Sequence, residues 1–178
     1  EYAGLFADQG DFDIPASYGV GMALQPTPAL TLAFDVQRIA YSDVAAVGNP
    51  INGLFAGAPL GSDDGPGFGW RDMTVYKLGA AYRMNDSLTV RAGYNYGRQP
   101  IPTGQTLFNI LAPGTVEHHL TLGATWTLAS GNEVTVMYAH ALRKQVDGRN
   151  SIPPAFGGGE ANIHLSEDLL GVAFAWKL

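Results

Sequence analysis

The sequence contains no cysteine and few charged side chains, and each absence narrows what the chain can be. Without cysteine, disulfide frameworks and thiolate metal sites are excluded. Charged residues make up 15% of the 178 residues, whereas an average soluble domain has about 25%. The formal net charge is −6 and no basic run occurs, which argues against a nucleic-acid partner.

The sequence also lacks an uninterrupted apolar run that suits a transmembrane helix. Residues 14–34 carry no charge, but prolines and glycines interrupt them, so two strands around a Pro-rich turn are the better interpretation. What the chain does have is 23 glycines, 46% hydrophobic residues and 11% aromatic residues. This composition suits a sheet with one face in lipid and the other in water.

Seven stretches of alternating apolar and polar residues run through the chain, and the connections between them are alternately short and long. In the third stretch, for example, Tyr76 and Leu78 would face one side and Lys77 the other. The predicted long loops cover residues 44–68, 98–116 and 146–163. Tight turns at one end of a sheet and long loops at the other are typical of an outer-membrane β-barrel.

We therefore predict an all-β fold, namely seven antiparallel strands of a transmembrane β-barrel. The strands occupy residues 14–178 and follow the remnant of an external loop at residues 1–13. Strands of about ten residues, tilted by about 45°, are long enough to cross a bilayer. Bacterial barrels have an even number of strands, so further strands are expected upstream. Among the alternating positions assigned to the apolar faces, only His140 can carry a charge.

One position in the second strand has two interpretations. Strict alternation would place Arg38 on the apolar face, next to Val36. Either a β-bulge near residues 36–38 shifts the register, or Arg38 stays on that face and reaches the lipid headgroups.

Several stretches, taken in order, resemble one known family. They are residues 15–21 (PASYGVG), 35–43 (DVQRIAYSD), 65–72 (GPGFGWRD), 91–96 (RAGYNY) and 108–114 (FNILAPG). In these stretches the chain resembles the FadL/OmpP1/TodX outer-membrane transporters of long-chain fatty acids and other hydrophobic compounds. The resemblance implies a fourteen-strand barrel, of which this chain supplies the C-terminal half. The N-terminal hatch of the family would lie upstream.

The resemblance also implies a function, a location and partners. The function is uptake of hydrophobic molecules, foremost long-chain fatty acids, by binding at external loops and gated passive diffusion across a Gram-negative outer membrane. The implied partners are a fatty acid or aromatic hydrocarbon, outer-membrane lipid and lipopolysaccharide, and the barrel assembly machinery during insertion, with a monomer at full length. A general porin or adhesin-type barrel without hydrophobic-ligand specificity is the alternative.

An amphipathic carboxylate would need a cation for its head group and apolar walls for its tail. Inward-facing Lys77 and Arg91 are the predicted cations, and Asn95 is a hydrogen-bond partner. The alternative is an internal ion pair with Asp35 or with an acid elsewhere in the barrel, since charged lumens are usual.

The long loops carry the second group of predicted ligand-binding residues, all of them apolar. These are Phe55, Leu60, Phe68, Trp70, Leu107, Phe108, Ile110 and Leu111. Apolar clusters on loops often mark ligand capture, whereas the alternative is that they pack on one another and close the barrel top. Near the external rim, Arg143 and Lys144 would either pair with lipopolysaccharide phosphates or be solvated.

No catalytic residue, metal site or cofactor is predicted. His118 and His119 are adjacent in a strand, so they point to opposite faces and cannot share a metal ion. Glu117 and His119 do share a face, which is a weak signal for a site. No Gly-x-Ser-x-Gly nucleophile elbow occurs in the sequence. We therefore expect no enzymatic step.

Overall fold

The computed structural model describes residues 4–8, 10 and 12–177, and part of the predicted loop remnant at residues 1–13 therefore lies outside the described residues. The described part forms a seven-stranded antiparallel sheet in which each strand pairs with the next along the chain. The strands are β1 (Ser17–Thr27), β2 (Leu30–Ile39), β3 (Met73–Asn85), β4 (Leu88–Gly97), β5 (His118–Thr127), β6 (Glu133–Val146) and β7 (Ile163–Ala175). The predicted all-β, seven-strand fold is confirmed.

The connections alternate as predicted, with short turns after β1, β3 and β5 and long loops after β2, β4 and β6. The first loop covers residues 40–72, the second 98–117 and the third 147–162. The first loop is longer than predicted, because β2 ends at Ile39 and a 3-10 turn follows at Tyr41–Asp43. The same loop holds α1 (Ala45–Gly48) and α2 (Asn52–Phe55). None of the described helices is both long and apolar enough to cross a membrane.

Cross-strand pairing fixes the two faces of the sheet. One row of paired residues consists of Leu24, Leu32, Ala80, Ala92, Leu122, Tyr138 and Leu170. Side chains on this apolar face stay uncovered, and Leu122 is 61% exposed and Val172 is 71% exposed. The neighbouring row, which includes Gly79, Gly93 and Thr121, points to the opposite, inward face. The apolar face is the one available to lipid.

The predicted bulge near residues 36–38 is wrong. The register of β2 is continuous with β3 along its whole length, and Arg38 lies opposite Tyr18 and Thr74 on the apolar face. Arg38 stays there because Asp72 supplies a counterion, with 2.9 Å between Arg38 Nη2 and Asp72 Oδ2. A bulge does occur in β6, where Ala141 pairs with Glu167 but Lys144 pairs with Leu165.

The expectation that His140 is the only ionisable group on the apolar face is incomplete. Strand β7 begins at Ile163, which places Asp168 opposite His140 on this face. The Tyr138 hydroxyl donates to Asp168 Oδ1 at 2.5 Å, and His140 Nδ1 lies 2.8 Å from the same oxygen. These three polar side chains therefore satisfy one another on the mostly apolar face.

A small core lies at the loop end of the sheet. Ile101, Val146 and Ile163 are buried there, and Trp70 packs against them. Val146 lies beyond the β6 bulge, opposite Ile163, and shares this core with Ile101 of the second loop. The loops are thus anchored to the strands by apolar contacts on the inward side.

The assignment of the two faces predicts different effects of arginine at adjacent positions of β5. In the complete protein folded into phosphocholine vesicles, Leu122→Arg should reduce the free energy of unfolding by about 2–4 kcal/mol, because it brings a charge to the lipid face. Thr121→Arg is the matched control and should reduce it much less, because the inward face is hydrated. Denaturant unfolding measures both values. An equal or larger loss for Thr121→Arg would contradict the assignment.

Candidate functional site

A row of mostly polar residues crosses the inward face of the sheet. The paired residues of this row are Asp35, Lys77, Asn95, His119, Ala141 and Glu167. Three of the four predicted lumenal residues are therefore direct neighbours. The fourth, Arg91, lies on the same face but four residues from Asn95 along β4, which is about 13 Å.

Lys77 is held by an amide rather than by a carboxylate. Its Nζ donates to Gln37 Oε1 at 2.8 Å, and Gln37 Nε2 donates to Ser17 Oγ at 2.6 Å. Within the described residues, no ion pair joins Lys77 to Asp35, although the two are paired across β2 and β3. The ammonium charge is thus left without an anion in this part of the chain. Asp35 itself lies against Gly21, where a Cβ would collide with the carboxylate.

Two buried polar atoms in the same row have no hydrogen-bond partner in the described part of the chain. They are Asn95 Oδ1 and His119 Nδ1. A buried polar atom without a partner costs about 1–3 kcal/mol, so such atoms favour a bound ligand or water. His119 is a site residue that the sequence analysis did not select. Its register opposite Asn95 is the signal that identifies it, and that register requires the complete β4–β5 pairing.

Arg91 belongs to a second polar region nearer the turn end. Its Nη1 donates to Thr125 Oγ1 at 2.6 Å, and the Thr125 and Thr135 hydroxyls lie 2.8 Å apart. Arg91 also lines a concavity of about 480 Å³ whose walls include Gly93 and Gly123. The small residues leave space beside the guanidinium group.

An apolar cavity of about 310 Å³ lies among the loops. Its walls include Phe6, Phe12, Leu60, Pro66, Phe68 and Phe108. Phe68 and Phe108 stack with their ring centroids 4.9 Å apart. The N-terminal segment joins this wall through hydrogen bonds from the Ala7 amide to the Leu60 carbonyl at 3.0 Å and from the Leu60 amide to the Leu5 carbonyl at 2.8 Å. The aromatic side chains pack on one another and still enclose a cavity.

Only some of the predicted loop residues reach this cavity, namely Leu60, Phe68 and Phe108. Trp70 lies behind Phe68, with the two ring centroids 6.1 Å apart. Phe55 packs against Phe156 of the third loop, with the two ring centroids 5.5 Å apart. The other three predicted loop residues lie outside the cavity wall. Leu107 is half-buried, whereas Ile110 and Leu111 are exposed.

Asn109 joins the two loops that form the cavity, and the sequence analysis missed its role. It is fully buried. Its Oδ1 accepts a hydrogen bond from Trp70 Nε1 at 2.5 Å, and its Nδ2 donates to the carbonyls of Phe68 at 2.7 Å and Gln105 at 2.8 Å. The only sequence signal is one amide inside the apolar run 107–111. Its partners lie about 40 residues away, at Phe68 and Trp70.

Lys144, a cation predicted at the external rim, forms an ion pair with Glu117. Its Nζ lies 2.8 Å from Glu117 Oε2, and Glu117 Oε1 accepts a hydrogen bond from the Gln99 amide at 3.1 Å. Burial alone would raise the pKa of Glu117, but the hydrogen bonds from Lys144 and Gln99 outweigh it and hold the pKa below its usual value. Glu117 is therefore a structural anion.

The adjacent histidines point to opposite faces, as predicted. His118 faces outward, where its Nδ1 lies 2.6 Å from the Tyr94 hydroxyl and its ring lies 4.9 Å from Tyr96. His119 faces inward, opposite Asn95. The described residues contain no group of three His, Asp or Glu side chains that could hold a metal ion.

Comparisons with known proteins agree on one family and one fold. The family model described as outer membrane protein transport protein (OMPP1/FadL/TodX) matches residues 7–165. The crystal structure of the toluene transporter TodX of Pseudomonas putida is 22% identical, covers 93% of this chain and 35% of that chain, and has a TM-score of 0.62. The crystal structure of a FadL homologue of Pseudomonas aeruginosa is 17% identical and has a TM-score of 0.61. That match covers 90% of this chain and 34% of the homologue. The chain spans about a third of the length of these structures. No curated protein sequence matches it.

Asn109→Ala should loosen the contact between the first and second loops. The substitution leaves the Trp70 indole and two carbonyls without their partner, at a cost of about 1–3 kcal/mol. Amide hydrogen exchange of the complete protein should show faster exchange around residues 66–71 and 105–111. Asn52→Ala, at an exposed position of α2, is the matched control and should leave that exchange unchanged. Unchanged protection in Asn109→Ala would show that the amide does not hold the loops together.

Proposed function

This chain belongs to the OMPP1/FadL/TodX family of outer membrane transport proteins, and we propose that it forms part of a barrel that carries hydrophobic molecules across the outer membrane. Members of this family are outer-membrane β-barrel proteins of Gram-negative bacteria, so the chain belongs in that membrane. The observation that carries the proposal is the aromatic cavity of about 310 Å³ among the external loops. Cavities that bind small molecules are mostly apolar and typically measure about 300–1,000 Å³.

The barrel needs more strands than this chain supplies. The edges of β1 and β7 that face away from the sheet pair with no other described strand, and an open edge in lipid leaves backbone groups unsatisfied. The chain is the C-terminal portion of a fourteen-strand barrel, and the upstream strands close both edges. Its coverage of about 35% of the TodX chain supports a missing portion of this kind.

The cavity and the polar row suggest two successive binding steps. A hydrophobic molecule first occupies the space beside Phe68 and Phe108, where aromatic side chains replace its contact with water. It then passes to the inward face, where Lys77, Asn95 and His119 offer a cation and two buried polar atoms. The proposed transport is gated passive diffusion, and neither binding step makes or breaks a covalent bond.

Long-chain fatty acids are the proposed ligand class. Lys77 has no anionic partner in the described part of the chain, so a carboxylate can accept a charge-assisted hydrogen bond from its Nζ. His119 would also donate to the carboxylate when its ring carries a proton on Nδ1. An aromatic hydrocarbon is the second candidate. One solved relative is a toluene transporter, and an uncharged ligand would use the aromatic cavity without needing Lys77.

Replacing the aromatic wall should reduce uptake. The double substitution Phe68→Ser and Phe108→Ser, in the complete protein reconstituted in liposomes, should reduce uptake of a labelled long-chain fatty acid at least about tenfold, because two apolar contacts are lost. Phe156→Ser is the control, because Phe156 is exposed and outside the cavity wall. Equal uptake of small sugars and no fatty-acid binding by the unchanged protein would favour a general porin.

Lys77→Gln should separate the two ligand classes. Losing the ammonium group should weaken fatty-acid binding about tenfold or more, because hydrogen bonds to charged groups contribute about 1.5–3 kcal/mol. Toluene binding should not change. Lys177→Gln removes the same charge near the turn end and is the matched control. Direct binding measurements with both ligands decide the question, and an unchanged fatty-acid affinity would remove Lys77 from the site and favour the hydrocarbon.

A further inference from the structure

We propose that the external rim of the sheet binds the phosphorylated headgroup of lipid A through Arg38, Arg71 and Arg98. The three arginines line one cavity of about 330 Å³, together with Tyr76 and Tyr96. This site is separate from the loop cavity and from the inward polar row. The proposal does not depend on which molecule the barrel transports.

The topology brings the three arginines to one edge. Arg38 lies one residue before the end of β2, Arg71 lies two residues before the start of β3, and Arg98 follows the last residue of β4. These positions share the loop end of the sheet, because neighbouring strands are antiparallel. All three arginines are exposed.

The aromatic floor of the cavity indicates its depth in the membrane. Tyr76 and Tyr96 are paired directly across β3 and β4, in a row of the apolar face. Aromatic girdles of membrane barrels mark the boundary between hydrocarbon and headgroups. The arginines therefore lie just outside that boundary, at the level of lipid phosphates.

The cluster carries an excess of positive charge. Asp72 is the one acidic side chain of the cavity wall, and it is already occupied. Its Oδ2 pairs with Arg38, while its Oδ1 accepts hydrogen bonds from the Ser42 amide at 3.0 Å and the Ser42 hydroxyl at 2.7 Å. The Ser42 hydrogen bonds, with a smaller contribution from Arg38, hold the pKa of Asp72 below its usual value, so it remains an anion.

Arg71 and Arg98 are available to a ligand. Neither side chain makes an ion pair or a hydrogen bond to any described residue. Three arginines and one aspartate leave two positive charges at this rim, in a chain whose formal net charge is −6. The guanidinium group binds phosphate oxygens through two parallel hydrogen bonds, so two free arginines fit a phosphate ester well.

A groove for acyl chains continues from the arginine cluster down the apolar face. A concavity of about 510 Å³ there is lined by large side chains around small ones, including Phe34, Leu78, Ala80, Ala92, Tyr94 and Leu120. Leu78 lies two residues from Tyr76 on the same face, about 7 Å along β3. A free phosphate ion would use only the arginines, whereas a lipid with acyl chains fits both features. The groove therefore favours lipid A over inorganic phosphate.

Binding of lipid A to the complete detergent-purified protein, followed by native mass spectrometry, tests the site. The double substitution Arg71→Gln and Arg98→Gln should weaken binding of diphosphoryl lipid A about 25-fold, since each arginine near a lipid phosphate contributes roughly a fivefold factor. Dephosphorylated lipid A should bind weakly to both proteins. The control Arg83→Gln and Lys177→Gln removes two charges from the turn end and should keep the original affinity.

Three results would overturn the proposal: a double variant that binds lipid A like the control, dephosphorylated lipid A that binds as tightly as the phosphorylated form, or inorganic phosphate that binds as tightly as lipid A. Heat-dependent gel mobility reports whether the variants are folded. If the double variant does not fold, Arg98→Gln alone should weaken lipid A binding about fivefold, and an unchanged affinity for this single variant would equally contradict the site.

Discussion

The unbroken pairing of neighbouring strands is the constraint on which the rest of this structure depends. In lipid, each backbone amide and carbonyl must find its partner in the protein, so the ladders cannot shift without leaving polar groups unsatisfied. From β2 to β5 the register is continuous over the membrane-spanning residues. Continuous pairing fixes the direction of each side chain, which places Leu122 outward and Thr121 inward, and it aligns Lys77, Asn95 and His119 in one row. The polar row of the candidate site is therefore a consequence of backbone pairing.

The bulge in β6 shows what happens where that constraint ends. One extra residue between Ala141 and Lys144 breaks the ladder near the loop end. Beyond it, Val146 packs with Ile101 and Ile163 in a small buried core. The loops there are organised by side chains rather than by ladders. The Asn109 side chain makes three hydrogen bonds there, to Trp70, Phe68 and Gln105. Phe68 stacks on Phe108 beside the apolar cavity between the loops.

Most of the fold could be predicted from the sequence, because alternation with period two is local information. Strand number, turn positions and face assignment follow from it, and so does the opposite orientation of His118 and His119. The sequence could not decide between the two interpretations of Arg38, because its counterion Asp72 lies 34 residues further along the chain. The loop cavity was predicted in part. Composition identified Leu60, Phe68 and Phe108, whereas Phe6, Phe12 and Asn109 depend on contacts between separate loops, which no local pattern records.

The two proposed cation sites lie on different faces and use different side chains. Within the lumen, Lys77 presents a compact ammonium group that one amide oxygen can hold while its other hydrogens remain free for a ligand. In the cavity at the external rim the cations are arginines, whose planar groups suit phosphate and which share the cavity with two tyrosines. In a chain with only 15% charged residues, cations are costly on the lipid side, so they concentrate where an anion can reach them. The scarcity of charge that first distinguishes this sequence thus makes the position of each remaining cation informative.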